Sequence, residues 1–138
     1  MINMRPVKIL AVDDDPGTLE FYKALLSEAG YQVETAAEAT AAIMLYKRSP
    51  ADLLILDVAM PSGGGGQVFN VVRGLAQKGI PVIFVTGLPE KVSSLVSPRS
   101  NVLVFRKPVD CAALLKGIPR LLAENGVQLF WYMGNPVI

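Results

Sequence analysis

Hydrophobic residues along this chain form five short runs, separated by longer segments in which apolar residues recur at helical spacing. The runs cover residues 7–12, 31–36, 52–58, 81–87 and 101–107. Four of them are almost continuously apolar, which is typical of strands whose two faces are both covered. The second run, YQVETA, is more polar and predicts an edge strand.

The segments between these runs predict helices. The first, residues 16–29, opens with Pro16 and ends before Gly30, and these residue types are favoured at the two ends of a helix. Further helices are predicted over 38–48, 67–78 and 109–124. Pro119 predicts a kink in the last of these. Residues 88–100 are the weakest candidate, since their serines and prolines leave room for about two helical turns.

Strict alternation of strand and helix predicts an α/β fold with a parallel sheet. The expected architecture is a doubly wound five-stranded parallel sheet with strand order 2-1-3-4-5, flanked by five helices. In such sheets the functional site lies outside the carboxyl ends of the strands, where the strand order reverses. The polar residues at those ends are therefore the first candidates for function.

The composition narrows the class of protein. With 138 residues, 51% of them hydrophobic, the chain is expected to form one folded domain. Its net charge of +1 offers no broad basic face, which argues against direct binding to nucleic acid. No segment has the roughly 18 consecutive apolar residues needed to cross a bilayer, so we expect a cytoplasmic protein that does not bind membranes.

The chain contains no histidine and a single cysteine, Cys111. The missing histidines exclude Ser-His-Asp triads, histidine metal ligands and imidazole acid–base catalysis. The single thiol excludes an internal disulfide and is expected to be a small buried side chain. Any chemistry therefore depends on carboxylates, hydroxyls, lysines or a bound ion.

Four of the predicted strands end in polar residues that would meet at one edge of the sheet. Asp13 and Asp14 follow the first strand, Asp57 the third, Thr86 ends the fourth and Lys107 the fifth. An aspartate at a strand end is usually a helix cap, as we expect for Asp15 before Pro16. The joint occurrence of these residues at four strand ends nevertheless indicates a site.

These residue types suit phosphoryl transfer. Crowded carboxylates favour a divalent cation, and Mg²⁺ prefers oxygen ligands. A lysine and a hydroxyl opposite the metal could orient the oxygens of a phosphoryl group. Asp57, which follows a buried strand, is the best-placed nucleophile in a chain without histidine.

Four segments carry a family resemblance: ILAVDDDP, LLILDVAMP, VIFVTG and VFRKP. In order and spacing, over residues 7–123, they resemble the signature blocks of the response-regulator receiver domain of two-component signalling. The resemblance implies that Asp57 accepts a phosphoryl group from a phosphohistidine on a sensor histidine kinase or phosphotransfer protein. It implies a regulatory domain that switches conformation to control a downstream partner and catalyses at most its own phosphorylation and dephosphorylation.

The resemblance also implies a metal site and a switch. Asp13, Asp14 and Asp57 would bind Mg²⁺ together with the backbone carbonyl of Ala59, and Mn²⁺ could substitute.

Thr86 and Lys107 would contact the phosphoryl oxygens, and the Lys107–Pro108 peptide bond would be cis. On phosphorylation, Thr86 would move toward the phosphoryl group. The ring of Phe105, expected at the position of the aromatic switch residue, would then turn inward.

The glycine run at 63–66 departs from the family pattern. Gly65 matches the usual glycine, whereas Gly64 stands where the family commonly has an acid. We expect the run to form a flexible connection into the third helix, at an entropic cost on folding. A P-loop nucleotide site is rejected, because Gln67 and Val68 follow the glycines where a lysine and a hydroxyl are required.

Two other functions stay open. A haloacid-dehalogenase-like phosphatase also uses a strand-end aspartate and magnesium, but DDDPGT places Gly17 where its D-x-D-x-[TV] pattern needs threonine or valine. A pseudo-receiver keeps the fold as an interaction module and is not phosphorylated. The presence of the complete set of site residues argues against a pseudo-receiver: Asp13, Asp14, Asp57, Thr86 and Lys107.

Residues 1–125 are predicted to form the receiver domain, and residues 126–138 an apolar C-terminal tail with no separate output domain. The tail contains the run LFWYM, and our hypothesis is that it docks on the domain or on a second copy, which would give a homodimer. The output would come either from contact with a downstream protein or from an output domain missing from this sequence.

Overall fold

The structure, a computed structural model, describes residues 5–60, 64–76, 79–93 and 101–124. The strands are β1 (Lys8–Val12), β2 (Gln32–Ala36), β3 (Leu53–Leu56), β4 (Val82–Thr86) and β5 (Val102–Arg106). The α-helices of the described residues are α1 (Pro16–Glu28), α2 (Ala39–Arg48), α3 (Gly64–Leu75) and α4 (Cys111–Glu124).

The strands form one parallel sheet in the order β2-β1-β3-β4-β5. This order confirms the predicted doubly wound fold, with β2 at an edge. Alternate side chains of each strand point to opposite faces of the sheet. One face packs with α2 and α3, through residues such as Ala42 and Val68, and the other packs with α1 and α4, through residues such as Leu26 and Ile118.

The central strands form the core of the molecule. Every residue of β3 and β4 is buried, as is every residue of β1, because helices cover both faces of the sheet at these positions. The fifth strand differs from the expectation of continuous burial. It is an edge strand whose positions are half-buried or exposed, and the side chain of Val104 is 41% exposed.

The ends of α1 follow from its sequence. Asp15 caps the helix by accepting hydrogen bonds from the amide and hydroxyl of Thr18, and Pro16 occupies the first turn. Gly30 ends the helix with φ 98°, a left-handed conformation that glycine adopts without steric strain. The prediction that Asp15 is a helix cap is therefore confirmed.

Two of the predicted helices differ in the structure. The third helix begins at Gly64 and ends at Leu75, so the glycines at 64–66 form its first turn and not a flexible connection. The helix proposed over 88–100 appears as a short 3₁₀ helix, Pro89–Lys91, and residues 94–100 lie outside the described residues. The described part of the chain thus has four α-helices where five were predicted.

The last helix continues through the buried Pro119 without a break. Within the described residues, none of the helices has the length and apolar character that spanning a bilayer requires. The apolar tail, residues 126–138, lies outside the described residues, as does Gly63.

Candidate functional site

The carboxyl ends of four strands bring the predicted site residues together. Asp13 follows β1, Asp57 follows β3, Thr86 is the last residue of β4 and Lys107 follows β5. The side chains of Asp13, Asp57 and Thr86 are buried, whereas that of Lys107 is about one-third exposed. The strand order therefore builds a polar pocket from residues that are far apart in sequence.

Lys107 joins the two buried carboxylates. Its Nζ donates hydrogen bonds to Asp13 Oδ2 at 2.8 Å and to Asp57 Oδ2 at 2.9 Å. The ammonium supplies the positive charge that two buried carboxylates need in order to lie side by side. The Lys107 amide also donates to the Thr86 carbonyl oxygen at 2.9 Å, which ties the start of the β5–α4 loop to the end of β4.

The Asp57 side chain and main chain are both held. Its Oδ1 accepts a hydrogen bond from the Ala59 amide at 2.9 Å. Its own amide donates to the Val12 carbonyl oxygen at 3.3 Å, and its carbonyl oxygen accepts from the Gly65 amide at 2.8 Å. The carboxylate therefore has a defined orientation, with Oδ2 directed at Lys107.

The three aspartates that were predicted to bind a metal lie together. Asp13, Asp14 and Asp57 each offer a carboxylate oxygen, and these oxygens lie within 4.8 Å of one another. Asp13 is fixed by a hydrogen bond from the Asp15 amide to its Oδ1, at 2.9 Å, whereas Asp14 is exposed to solvent. A cluster of carboxylate oxygens with one solvent-facing member fits a hard, partly hydrated cation such as Mg²⁺.

The two buried aspartates have pKa shifts of opposite sign. Burial raises the pKa of Asp13, and the hydrogen bond from Lys107 reduces this shift without reversing it. Burial also raises the pKa of Asp57, but hydrogen bonds from the Ala59 amide, Lys107 and the Thr86 hydroxyl outweigh it, and the net pKa is lowered. Asp57 is thus the carboxylate whose charged form the site stabilises, as a nucleophile requires.

The Lys107 ammonium is stabilised in the same way. Burial lowers its pKa, but the hydrogen bonds to Asp13 and Asp57 outweigh this and leave the pKa raised. The Thr86 hydroxyl oxygen accepts a hydrogen bond from the Leu88 amide at 3.1 Å, and the Thr86 side chain is fully buried. The Lys107 ammonium and the Thr86 hydroxyl therefore both lie beside the Asp57 carboxylate, and each is held by hydrogen bonds.

The expected inward turn of Phe105 does not fit the sheet. In the β4–β5 pairing, Val85 lies beside Phe105, and Thr86 beside Arg106. Val85 and Phe105 belong to the face covered by α1 and α4, whereas Thr86 alternates with Val85 and points to the other face. The residues of β5 that share the Thr86 face are Val104 and Arg106, so Phe105 cannot turn toward Thr86 from its place in the strand.

An open groove of about 580 Å³ adjoins the site between α1 and the β5–α4 loop. Lys107, which binds Asp13 and Asp57, also lines this groove. The other residues that line the groove are Asp15, Gly17, Thr18, Phe21, Tyr22, Val85, Pro108, Val109 and Cys111. The Lys107–Pro108 peptide bond is cis. Cys111, expected to be buried, is exposed as the first residue of α4. Sequence patterns did not point to this groove, because its lining comes from three separate parts of the chain.

Known proteins are similar to this chain in sequence and fold. A family model described as "Response regulator receiver domain" matches residues 9–118. The transcriptional regulatory protein GlrR of Escherichia coli is 33% identical over 122 residues, which are 88% of this chain and 27% of GlrR. Protein PilH of Pseudomonas aeruginosa is 30% identical over 118 residues, which are 84% of this chain and 98% of PilH.

Solved structures give the same result. The Vibrio cholerae chemotaxis protein CheY4 matches with a TM-score of 0.77 and 32% identity, covering 85% of this chain and 99% of that one. A CheY-like receiver domain protein from Methanospirillum hungatei matches with a TM-score of 0.78 and 30% identity, covering 88% and 98%. The chain spans between 27% and 54% of the first curated relatives it matches, which are transcriptional regulatory proteins.

Proposed function

This chain belongs to the response-regulator receiver family, and on that premise we propose that it accepts a phosphoryl group on Asp57. The donor would be a phosphohistidine of a sensor histidine kinase or phosphotransfer protein. The observation that carries the proposal is the arrangement around Asp57. Its carboxylate has a lowered pKa and lies 2.9 Å from the Lys107 ammonium, in a cluster with Asp13 and Asp14.

The proposed reaction follows from this arrangement. A carboxylate oxygen of Asp57 forms a bond to phosphorus as the phosphorus–nitrogen bond of the donor breaks, and the electron pair of that bond leaves with the imidazole. Such transition states are loose, so catalysis consists mainly of positioning and neutralising charge. Lys107 would neutralise charge on a phosphoryl oxygen, and the Thr86 hydroxyl would donate a hydrogen bond to another.

Mg²⁺ is the proposed cofactor, with Mn²⁺ as a substitute. Asp13, Asp14 and Asp57 would hold it together with the backbone carbonyl of Ala59, a residue on the exposed turn after β3. When bound, the ion would neutralise negative charge on the transferring phosphoryl group. The acids would hold the ion, and Lys107 would neutralise charge on a phosphoryl oxygen.

Phosphorylation is proposed to switch the conformation of the domain and so control a downstream protein or an output domain. Thr86 would shift toward the phosphoryl group. Val104 and Arg106 are the β5 residues on its sheet face, and Val104 is 41% exposed. Phe105 packs on the opposite face, so the proposed switch works through changes in packing around β5 and not through an aromatic ring beside Thr86. We place the domain in the cytoplasm, with a homodimer as one form of output and no direct contact with nucleic acid.

Acetyl phosphate labelling tests the proposed function. Wild-type protein with Mg²⁺ should gain one phosphoryl group per chain by intact-mass measurement, and the Asp57→Asn variant should gain none. Removal of Mg²⁺ with a chelator should abolish labelling of the wild type. A wild type that is not labelled, or an Asp57→Asn variant that is labelled equally, would point to a pseudo-receiver.

Catalytic turnover of a phosphomonoester distinguishes a phosphatase of the haloacid-dehalogenase type from the proposed receiver. A receiver is expected to be labelled once and to release its phosphoryl group to water, without catalytic hydrolysis of a generic phosphomonoester. Many turnovers of such an ester that depend on Asp57 would contradict the proposal.

A further inference from the structure

The first turn of α3 lies directly on the main chain of Asp57. Gly64 and Gly65, which begin this helix, are buried. The Gly65 amide donates a hydrogen bond to the Asp57 carbonyl oxygen at 2.8 Å. The residues that were expected to be a flexible connection are therefore a packed contact between a helix terminus and the proposed phosphoacceptor.

A side chain at position 65 has no room. A Cβ atom added there would lie 2.4 Å from the Asp57 carbonyl oxygen, 2.9 Å from its carbonyl carbon and 3.1 Å from Leu56 Cβ. These neighbours are main-chain atoms and the Cβ of a core residue, which cannot rotate away as the end of a flexible side chain can. Any larger residue must therefore move Asp57 or lift the start of α3.

Position 64 is restricted for two reasons. Gly64 has φ +50°, in the left-handed region that L-residues rarely adopt. A Cβ atom added there would also lie 2.9 Å from the Val58 carbonyl oxygen. The acid that the family commonly carries at this position is thus replaced by the residue that this local conformation tolerates best.

The main chain of Asp57 is held from both sides. Its amide binds the Val12 carbonyl oxygen of β1, and its carbonyl oxygen binds the Gly65 amide of α3. Its Oδ1 is fixed by the Ala59 amide, which leaves Oδ2 facing Lys107. A shift of the carbonyl would rotate this residue and change the distance from its carboxylate to Lys107.

We infer that Gly64 and Gly65 are positioning residues, which set the orientation of the Asp57 carboxylate by allowing the first turn of α3 to lie against residues 57 and 58. Neither glycine touches the reacting atoms, and both act through the main chain of the phosphoacceptor. The inference rests on the proposed function of Asp57. It assigns Gly64 and Gly65 a role in orienting the Asp57 carboxylate, whereas the sequence pattern predicted a flexible connection into the third helix.

Alanine variants test this inference, with a matched control in the same helix. Gly65→Ala and Gly64→Ala are compared with Gly74→Ala, because a Cβ at position 74 meets no atom within 4 Å. A displacement of about 1 Å at a reacting group slows reactions by about 100-fold. We expect acetyl phosphate labelling to slow by about 100-fold in Gly65→Ala and about 10-fold in Gly64→Ala. Gly74→Ala should keep the wild-type rate.

A second readout separates positioning from loss of stability. The Ala59 amide resonance, followed in protein labelled with ¹⁵N-alanine, reports the hydrogen bond to Asp57 Oδ1. It should shift in both test variants and stay in place in Gly74→Ala, at a temperature where thermal unfolding curves show all proteins folded. If Gly65→Ala does not fold, Gly64→Ala decides by the same two measurements.

The inference is overturned if folded Gly64→Ala and Gly65→Ala are labelled at the wild-type rate with an unmoved Ala59 resonance. It is also overturned if Gly74→Ala loses labelling equally. A wild type that takes no label contradicts the proposed function of Asp57 instead. The Ala59 resonance then still shows whether the glycines orient the carboxylate.

Discussion

At the scale of single residues, Asp13 and Asp57 have opposite effects on the stability of the folded protein. Both are buried and both bind Lys107, yet burial dominates at Asp13 and raises its pKa, while hydrogen bonds dominate at Asp57 and lower its pKa. The charged form of Asp13 is therefore unfavourable in the folded state, and the charged form of Asp57 is favourable.

This difference predicts opposite effects of two matched substitutions in metal-free buffer. Above its raised pKa, the charged Asp13 side chain lowers the free energy of unfolding. This loss of stability is recovered as the pH falls toward the pKa that Asp13 has in the unfolded chain. Asp57 adds stability above its unfolded pKa, and this gain is lost as the pH falls through its lowered pKa. Asp13→Asn should therefore raise the free energy of unfolding at neutral pH and Asp57→Asn should lower it.

Both differences should shrink in acid, as measured by urea unfolding at a series of pH values. Equal destabilisation by both substitutions at neutral pH would contradict the assigned pKa shifts.

At the scale of elements, the sequence allowed the strands, their order and the polar residues at their ends to be predicted. Continuous apolar runs identify buried strands, and the carboxyl ends of parallel strands meet at one edge, so the positions of Asp57 and Lys107 followed from the pattern. The start of α3 at Gly64 did not follow, because glycine has a low helix propensity and the contact with Asp57 that stabilises this turn is tertiary. The face of Phe105 depended on the β4–β5 register, which short apolar runs do not specify.

Two glycines, one just after α1 and one inside α3, should respond in opposite ways to substitution by alanine. Gly30 has φ 98°, so Gly30→Ala should destabilise the protein by about 1–2 kcal/mol, the cost of a left-handed conformation for an L-residue. Gly74 lies inside α3 with open space around it, so Gly74→Ala should stabilise by about 0.5–1 kcal/mol through helix propensity. Thermal or urea unfolding checks both, and a loss of stability in Gly74→Ala would contradict the described end of α3.

At the scale of the whole molecule, the pocket and the groove occupy one end of the sheet. The groove is lined by apolar side chains such as Phe21 and Val109 and by the polar Asp15, Thr18 and Lys107, and Phe21 is 37% exposed. A protein donor would have to bring its phosphohistidine to Asp57, and the apolar side chains beside Lys107 would offer it a contact. A small-molecule donor has no need of this surface.

Phe21→Ala therefore separates the two kinds of donor. Transfer from the phosphorylated cognate kinase should slow by about 10-fold, as for loss of a partly buried aromatic contact worth about 1.4 kcal/mol, while labelling by acetyl phosphate stays unchanged. Met44→Ala is the control, because Met44 is 66% exposed on α2, which packs on the other face of the sheet. Equal rates of kinase transfer in the two variants would exclude the groove as the docking surface.

Peptide mass spectrometry that maps the modification is the decisive measurement of whether Asp57 carries the phosphoryl group. After brief treatment with acetyl phosphate and Mg²⁺, the phosphoryl group should be found on the peptide that contains Asp57, and its fragment ions should place it on that carboxylate. Label on Asp13, on Asp14 or on a hydroxyl side chain, with Asp57 unmodified, would show that Asp57 is not the phosphoacceptor.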